Sequence, residues 1–335
     1  MFYKPANKER LQQSHNFRDG AFQNLTLTPM KPEGVSYYRM IKDALNKPEE
    51  VRPPVMLPSV RTDLKAVHSA KPVITWFGHS SYLIQINSMN IMVDPVFSGS
   101  AAPFSFMVKA FPGADVYTVA DMPPIDILII THNHYDHLDK KTLRQLLPSV
   151  KAVYTPLGVG SDLQVCGSHP VPVEMDWWDD VEIMPEVSLG ARPARHFSGR
   201  GLKRGGSLWA SFLLNVYGYT IYLGGDSGYD THFKAIGKAA GSIDLAILEC
   251  GQYNDHWPFI HMKPEETVQA AIDLGAKVLM PVHWAKFALA THAWNEPPIR
   301  VTKYAAERGV AITTPMIGEP VIVGESYPQQ QWWYL

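Results

Sequence analysis

Cysteine is nearly absent: Cys166 and Cys250 are the two in 335 residues. That excludes a disulfide framework and a cysteine-built zinc site. Cys250 closes the apolar run 243–250 and reads as a buried free thiol. An excess of one charge is also missing, since 30 basic and 32 acidic residues leave a net charge of -2. The balance offers neither the basic footprint of nucleic-acid binding nor a polybasic membrane anchor, so no nucleic acid is expected as a partner. No run approaches the roughly 20 apolar residues of a membrane span. The opening stretch MFYKPANKERLQQSHNF lacks the apolar segment of a secretory leader, and a cytoplasmic protein is expected. What remains, 46 % hydrophobic and 19 % charged residues, is the composition of a globular chain with a sizeable core.

Periodic patterning is sparse at the start. Residues 1–70 carry Pro29, Pro32, Pro48, Pro53, Pro54 and Pro58 and read as an irregular arm packed on the core, with a short helix expected over 37–45. Residues 71–335 read as the main domain. The run VITWFGHSSYLIQI (73–86) is expected to pair as a hairpin with NIMVDPVF (90–97). IDILIITH is a continuous apolar run, the mark of a strand covered on both faces. DKKTLRQLLPS follows as a helix, with Asp139 as N-cap and Leu143, Leu146 and Leu147 on one face. KAVYTP, a hairpin of SLWASFLLNV with IYLGGDSGY, IDLAILECG and KVLMPVHW supply further strands. KPEETVQAAIDLGA and PPIRVTKYAAERG supply further helices. Strands followed by alternating strand and helix, in two rounds, predict two packed sheets with helices outside.

One kind of polar residue gathers where these strands end. THNHYDHLD sets His132, His134, Asp136 and His137 within six positions of each other. His132 and His134 face the same way in extended chain, whereas Asp136 and His137 need a turn to converge with them. Imidazole and carboxylate are the donors that zinc, manganese and iron take. His196 after LGARPAR, Asp226 after TIYLGG and His283 after KVLMPV close three more strands, and ligand sites in α/β sheets lie at such ends. One histidine at one strand end would mean little. Four ends closing on donors predict a metal centre.

The ordered set H-x-H-x-D-H, distant His, distant Asp, final His resembles the metallo-β-lactamase superfamily over about residues 73–290. The resemblance implies an α/β fold, the αββα sandwich, with two metal ions. It places His132, His134 and His196 on one ion and Asp136, His137 and His283 on the other, with Asp226 bridging. Zinc is the ion of choice; manganese or iron would use the same donors. Asp94 in IMVDPVF matches the early aspartate that orients a ligand histidine. His79, expected mid-strand after Gly78, matches no ligand position and reads as structural. TWFGHSSYLIQI, RHFSGRGL, GGDSGY and ECGQY followed by HMKPEE look like the branch of N-acyl-phosphatidylethanolamine-hydrolysing phospholipase D and its bacterial relatives. HNFRDGAFQN (15–24) is similar to that branch's N-terminal arm. L-ascorbate-6-phosphate lactonase is a more distant cousin. His261 falls where the phospholipase branch has a histidine near the scissile phosphate.

The chemistry follows from that set. Two ions about 3.5 to 4 Å apart lower the pKa of water toward about 7 and clamp attacked and leaving oxygens. The expected reaction is attack of a metal-bridging hydroxide on a phospholipid-like phosphodiester, with Asp226, Asp136 and His261 as catalytic residues. Arg192, Arg195, Arg200, Lys203 and Arg204 flank His196. One or more of them, Arg200 among them, is expected at a phosphate. His256, Trp257 and Phe259 lie on a loop that either lines the entrance or packs as an ordinary aromatic loop, the entrance being slightly favoured, and Tyr253 and Trp257 are expected to bind substrate. A lactonase or carboxyl-ester hydrolase would polarise a carbonyl at the same site. A nuclease is disfavoured by the charge balance. The arm and FSFMVKAF (104–111) could give peripheral membrane contact, although FSFMVKAF equally fits an amphipathic cover on the core.

Overall fold

The computed structural model describes residues 8–29, 34, 36, 38, 42, 43, 46–167, 170–201 and 204–335. The chain opens with helix α1 (Lys8–Gln13) and a tight ribbon of β1 (Phe17–Arg18) and β2 (Ala21–Phe22). There follow β3 (Val73–Trp76), β4 (Tyr82–Ile86), β5 (Met89–Val93), β6 (Ile125–Ile129), α2 (Lys140–Leu146), β7 (Val150–Pro156), α3 (Gly160–Leu163) and β8 (Val173–Met175). The second round is β9 (Asp180–Met184), β10 (Val187–Arg192), β11 (Ser211–Val216), β12 (Tyr219–Leu223), α4 (His232–Ala240), β13 (Leu245–Glu249), α5 (Pro264–Leu274) and β14 (Leu279–Val282). Helix α6 (Glu296–Arg308) and β15 (Pro320–Ile322) close the chain.

One sheet has the order β15-β3-β4-β5-β6-β7-β8 and the other β14-β13-β12-β11-β10-β9. In each, hairpin-joined antiparallel strands give way to parallel strands, reached through helices except at β6, which follows β5 after a long loop. Successive side chains divide between two cores, as the period of a strand requires. Ile84, Ile91, Ile127 and Ile129 join Leu189, Phe212, Leu214 and Leu223 of the other sheet. Leu83, Met92, Leu128 and Ile130 instead meet Leu143 and Leu146 of α2. Burial on both faces explains the unbroken apolar runs, and each such side chain contributes about 1.5–3 kcal/mol relative to exposure. The result is an αββα sandwich, the expected fold class.

Helix ends follow local chemistry. Asp139 Oδ1 accepts from Lys141 N at 3.0 Å at the start of α2. Pro264 opens α5, Glu266 Oε2 accepts from Lys263 N at 2.8 Å, and Gly275 (φ 65°) ends the helix in the left-handed conformation.

The run 73–86 is not the single strand expected. Gly78 (φ 80°) and His79 (φ 53°) turn the chain between β3 and β4, which pair with each other. Trp76 Nε1 donates to His79 O at 2.7 Å, and a Cβ at position 78 would meet Lys286 Cβ at 3.1 Å. The β4–β5 hairpin closes on Asn87 and Ser88, both with positive φ, the backbone that a two-residue hairpin turn demands. Of the helix expected over 37–45, residues 37, 39–41, 44 and 45 lie outside the described residues; Tyr38, Lys42 and Asp43 are helical. Residues on both sides of that segment contact the main domain: Phe22 is buried in the main core, Lys47 Nζ donates to Ala288 O at 2.7 Å, and Glu50 O accepts from Trp294 N at 2.8 Å. No helix among the described residues is long and apolar enough to cross a membrane.

His232, at the start of α4, gives the fold an acid-sensitive point. It is buried with Nε2 3.2 Å from Ser227 Oγ, and burial holds its pKa down to about 4. Between the ordinary value and about 4, the unfolded chain binds a proton that the folded chain refuses. Stability therefore falls as pH drops through that window, by about 3 kcal/mol in full. Urea unfolding of metal-stripped protein at pH about 7 and about 4.5 should show this slope reduced in His232→Asn. An unchanged slope would remove His232 from the account.

Candidate metal centre

The strands of both sheets end toward one place. Asp94 follows β5, His132 to His137 follow β6, His196 follows β10, Asp226 follows β12, Glu249 ends β13 and His283 follows β14. After β6 the chain turns, with Leu138 N donating to His134 O at 2.8 Å, and the turn swings Asp136 and His137 back toward His132. The seven expected donors are brought together. His132 Nε2 and His196 Nε2 lie 2.9 and 3.1 Å from His134 Nδ1. His132 Nε2 and His196 Nε2 stand 3.7 and 3.6 Å from Asp226 Oδ2. The other oxygen, Oδ1, stands 3.1 Å from both His137 Nε2 and His283 Nδ1. Asp136 Oδ2 lies 3.6 Å from His137 Nε2.

These residues fall into groups whose donor atoms lie within 4.8 Å of one another: His132, His134, His196 and Asp226; His79, Asp136, His137 and His283; and Asp226, Glu249, His261 and His283, which shares a member with each of the other two. His79, read as structural, thus joins the second group, with its Nε2 2.8 Å from Asp136 Oδ2 and its ring 3.9 Å from that of His283. The donor set fits metal ions. Tetrahedral ligands about 2.0 Å from one zinc stand about 3.3 Å apart, and the observed separations bracket that value. His137 Nε2, Asp226 Oδ1 and His283 Nε2 are buried without a hydrogen-bond partner, which is costly unless a cation satisfies them.

Electrostatics prepare the donors. Burial, then the neighbouring imidazoles, push His132, His196 and His283 well below the usual histidine range. Burial takes His134 down to about 3. All four are neutral at neutral pH, with lone pairs free to ligate. Burial opposes charge on His137 too, but Asp226, Asp136 and Asp94 outweigh it and hold its pKa well above the usual value. Burial alone would raise Asp136, yet His137 and His79 bring it below the usual carboxylate range. Burial pushes Asp226 up to about 6. The cluster holds more carboxylate than its own protons neutralise comfortably, which favours a cation among them.

The surroundings fix the donors. Asp94 Oδ2 sits 2.7 Å from His137 Nδ1, and Asp94 also accepts from Thr131 N and Thr131 Oγ1 at 2.8 and 2.6 Å. That directs His137 Nε2 inward. Asn24 grips the main chain of His196 from both sides: its Nδ2 donates to His196 O at 2.8 Å, and its Oδ1 accepts from His196 N at 3.1 Å and from Trp209 Nε1 at 3.2 Å. His261 Nδ1 lies 2.9 Å from Glu249 Oε2. Glu249 was not singled out from sequence. It sits inside the apolar run LAILEC, although a carboxylate closing a buried strand is the signal that marked Asp226. Its Oε1 accepts from Met262 N at 2.9 Å and Ser227 N at 3.3 Å, while burial holds its pKa well above the usual range. Burial lowers His261.

A cavity of about 320 Å³ opens on the centre, lined by His134, Asp136, His196, Asp226 and His261 on one side and by Phe197, Trp257, Ile260 and Leu289 on the other. Arg204 lines it as well, stacked 4.8 Å over Phe197. Trp257 is therefore where expected, its Nε1 donating to Gln252 O at 2.9 Å. Arg200 and Tyr253 are not. Arg200 lies 3.9 Å over the Tyr135 ring, and its Nη1 donates to Asn133 O and Leu138 O at 2.9 and 2.7 Å. The guanidinium is spent on holding the loop after β6. Tyr253 turns away and donates to Glu296 Oε1 at 2.7 Å. Arg192 pairs with Asp180 at 2.6 Å, Arg195 donates to Thr28 Oγ1 at 3.0 Å, and Lys203 lies outside the described residues.

Comparison with known proteins agrees with this geometry. Residues 89–284 match the Beta-lactamase superfamily domain. An uncharacterised protein of Mycobacterium tuberculosis (strain ATCC 25618 / H37Rv) is 36% identical over 333 residues, covering 97% of this chain and 88% of its own. The mitochondrial N-acyl-phosphatidylethanolamine-hydrolysing phospholipase D of Saccharomyces cerevisiae is 32% identical over 67% of this chain and 49% of its own length. The structure of Igni18, a metallo hydrolase from the archaeon Ignicoccus hospitalis, superposes with a TM-score of 0.57 at 18% identity, covering 76% of this chain and all of that one. The chain belongs to the β-lactamase superfamily, and its fold is the one that this archaeal metallo hydrolase adopts.

Proposed function

We propose that the protein is a dinuclear, zinc-dependent hydrolase, a phosphodiesterase of phospholipase D type acting on a phospholipid-like phosphodiester. His132, His134 and His196 would hold one ion, and Asp136, His137 and His283 the other. The observation that carries this reading is Asp226, which turns one carboxylate oxygen to each histidine group, at 3.6–3.7 Å on one side and 3.1 Å on the other. Bound ions would supply a water of lowered pKa and a clamp for two phosphoryl oxygens.

The chain's own residues supply the rest. With Nδ1 against Glu249, His261 has Nε2 left for the cavity it lines. Burial favours a protonated Glu249 and a neutral His261; in that arrangement Glu249 donates to Nδ1 and Nε2 bears the hydrogen. It can therefore give a proton to a departing alkoxide. Arg204 offers a guanidinium to a phosphate oxygen. Phe197, Trp257, Ile260 and Leu289 suit the apolar part of a lipid-like substrate and exclude water from it. The N-acyl-phosphatidylethanolamine-hydrolysing relative supports this substrate class.

The test is metal content by ICP-MS together with hydrolysis of bis(p-nitrophenyl) phosphate. Two zinc ions per chain are expected, with turnover lost on chelation and restored by zinc. No metal and no turnover after reconstitution would overturn the reading, and two ions without diester cleavage would overturn its phosphodiester part.

A further inference from the structure

Residues 98–110 form a projecting loop. Ala101 N donates to Val108 O at 3.1 Å, Ala110 N to Gly99 O at 3.0 Å, and Ser100 Oγ to Met107 O at 2.7 Å. The loop is anchored at its base, where Ala101 packs with Val96 and Phe287, beside Val108, Ala110 and Leu289. Its tip is the reverse of a core cover: Phe104, Phe106 and Met107 are 61, 72 and 44% exposed. The two rings stack on each other with centroids 5.7 Å apart, while Phe111 alone of the FSFMVKAF aromatics is buried. Two stacked aromatic rings held out on a hydrogen-bonded loop expose apolar surface that the fold itself does not use.

Cations flank this tip. Lys109 stands on the loop. Beside the loop, a depression of about 340 Å³ is lined by Ser98, Ser100 and Ser105 and by Lys140, Lys141 and Arg144, with Arg200 at its inner side. Lys140 is engaged with Asp162 at 3.2 Å and Arg200 with carbonyls. Among the described residues neither Lys141 nor Arg144 has an ion pair, and Arg144 donates to Val165 O at 3.4 Å. Among the described residues that line the depression the one carboxylate is Asp139, buried and accepting from Ser98 N, Lys141 N and Thr142 Oγ1, so the cations outnumber it.

We propose that this face, Phe104 and Phe106 with Lys141 and Arg144, docks the protein on the surface of an anionic phospholipid bilayer. Aromatic side chains are at home at the headgroup boundary, and cations beside them meet the negative surface potential there. A protein partner fits poorly. Specific interfaces bury about 800 Å² on each side, and a convex tip of three side chains presents far less. The position suits the bilayer as well. Leu289 packs against the base of the loop and also lines the cavity on the metal centre, so the docking loop and the cavity share a wall. The inference goes beyond the proposed function and does not depend on it, because adsorption needs neither metal nor turnover.

Co-sedimentation of the full chain with phosphatidylcholine vesicles and with mixed phosphatidylcholine–phosphatidylglycerol vesicles tests it. The wild type is expected to sediment with the mixed vesicles and far less with pure phosphatidylcholine. Phe104→Ser with Phe106→Ser should weaken binding to both by about tenfold or more. Lys141→Gln with Arg144→Gln should weaken binding to the mixed vesicles by about fivefold per cation and remove the salt sensitivity. Both variants should keep the wild-type unfolding curve, which shows that the fold is intact. Failure of the wild type to sediment with mixed vesicles, or wild-type sedimentation by both variants, overturns the proposal. A wild type that binds vesicles but has no metal or diester turnover would refute the proposed function and leave this inference standing.

Discussion

Asp226→Asn is expected to lower diester turnover by more than about a hundredfold, because residues that merely support a ligand already cost about 10–100-fold. Metal content should fall below that of the wild type. The metal-free variant should be nearly as stable as the metal-free wild type, and this split is the informative part. Asp226 is buried, its carboxyl is pushed up to about 6 by that burial, and Oδ1 faces His137 Nε2 and His283 Nδ1 at 3.1 Å. Pairing with His137 offsets only part of the cost of burying that charge. Asparagine keeps the volume and removes the charge, and His137 keeps Asp94 and Asp136 beside it, so the empty fold is expected to lose little. ICP-MS, diester kinetics and thermal unfolding with chelator would be read together. Full activity in Asp226→Asn would refute a shared carboxylate. A large loss of stability in the metal-free variant would mean that Asp226 is a structural residue first.

His261→Ala should separate two roles. If Nε2 delivers a proton, the loss depends on the leaving group. p-Nitrophenolate departs without help, whereas the alkoxide of a glycerophospholipid does not. Turnover of the alkyl diester should then fall by about 10²–10⁴-fold, with a much smaller loss on bis(p-nitrophenyl) phosphate and unchanged metal content. Equal losses on both substrates would assign His261 to holding the phosphoryl group instead. Activity undiminished on both would remove it from the reaction. Its setting makes the first outcome the expected one, since Glu249 is aimed at Nδ1 by two main-chain amides and held in place by burial.

Much of this was legible because local chemistry and global fold agree. Buried parallel strands write themselves as unbroken apolar runs, and donors that follow such runs share one end of the sheet. His132, His134, Asp136, His137, His196, Asp226 and His283 were readable in that way. His79 was not. The break at Gly78 is hidden between two strands of similar composition, and His79 meets Asp136 only through pairing 57 positions apart. Glu249 hid inside an apolar run, where the eye counts a strand rather than its last residue. Arg200 failed for another reason. Its neighbourhood in sequence to His196 says nothing of where a long side chain lies, and the carbonyls of Asn133 and Leu138 claim it. Tyr253 is drawn off by Glu296 and Arg300 in the same way. Side-chain direction in loops is set by partners distant in sequence, and no local pattern encodes them.

Asn24 also has a consequence in time. Its partners His196 and Trp209 lie 172 and 185 positions further along the chain. Closing so long a loop is entropically slow, and neither partner is in place until β10 and β11 have paired. The amide clamp is therefore expected to form late. Contacts made after the folding barrier do little to hasten folding, but they retard unfolding. Asn24 would then act as a latch, leaving the assembly rate of the sandwich alone and lengthening the life of the assembled centre.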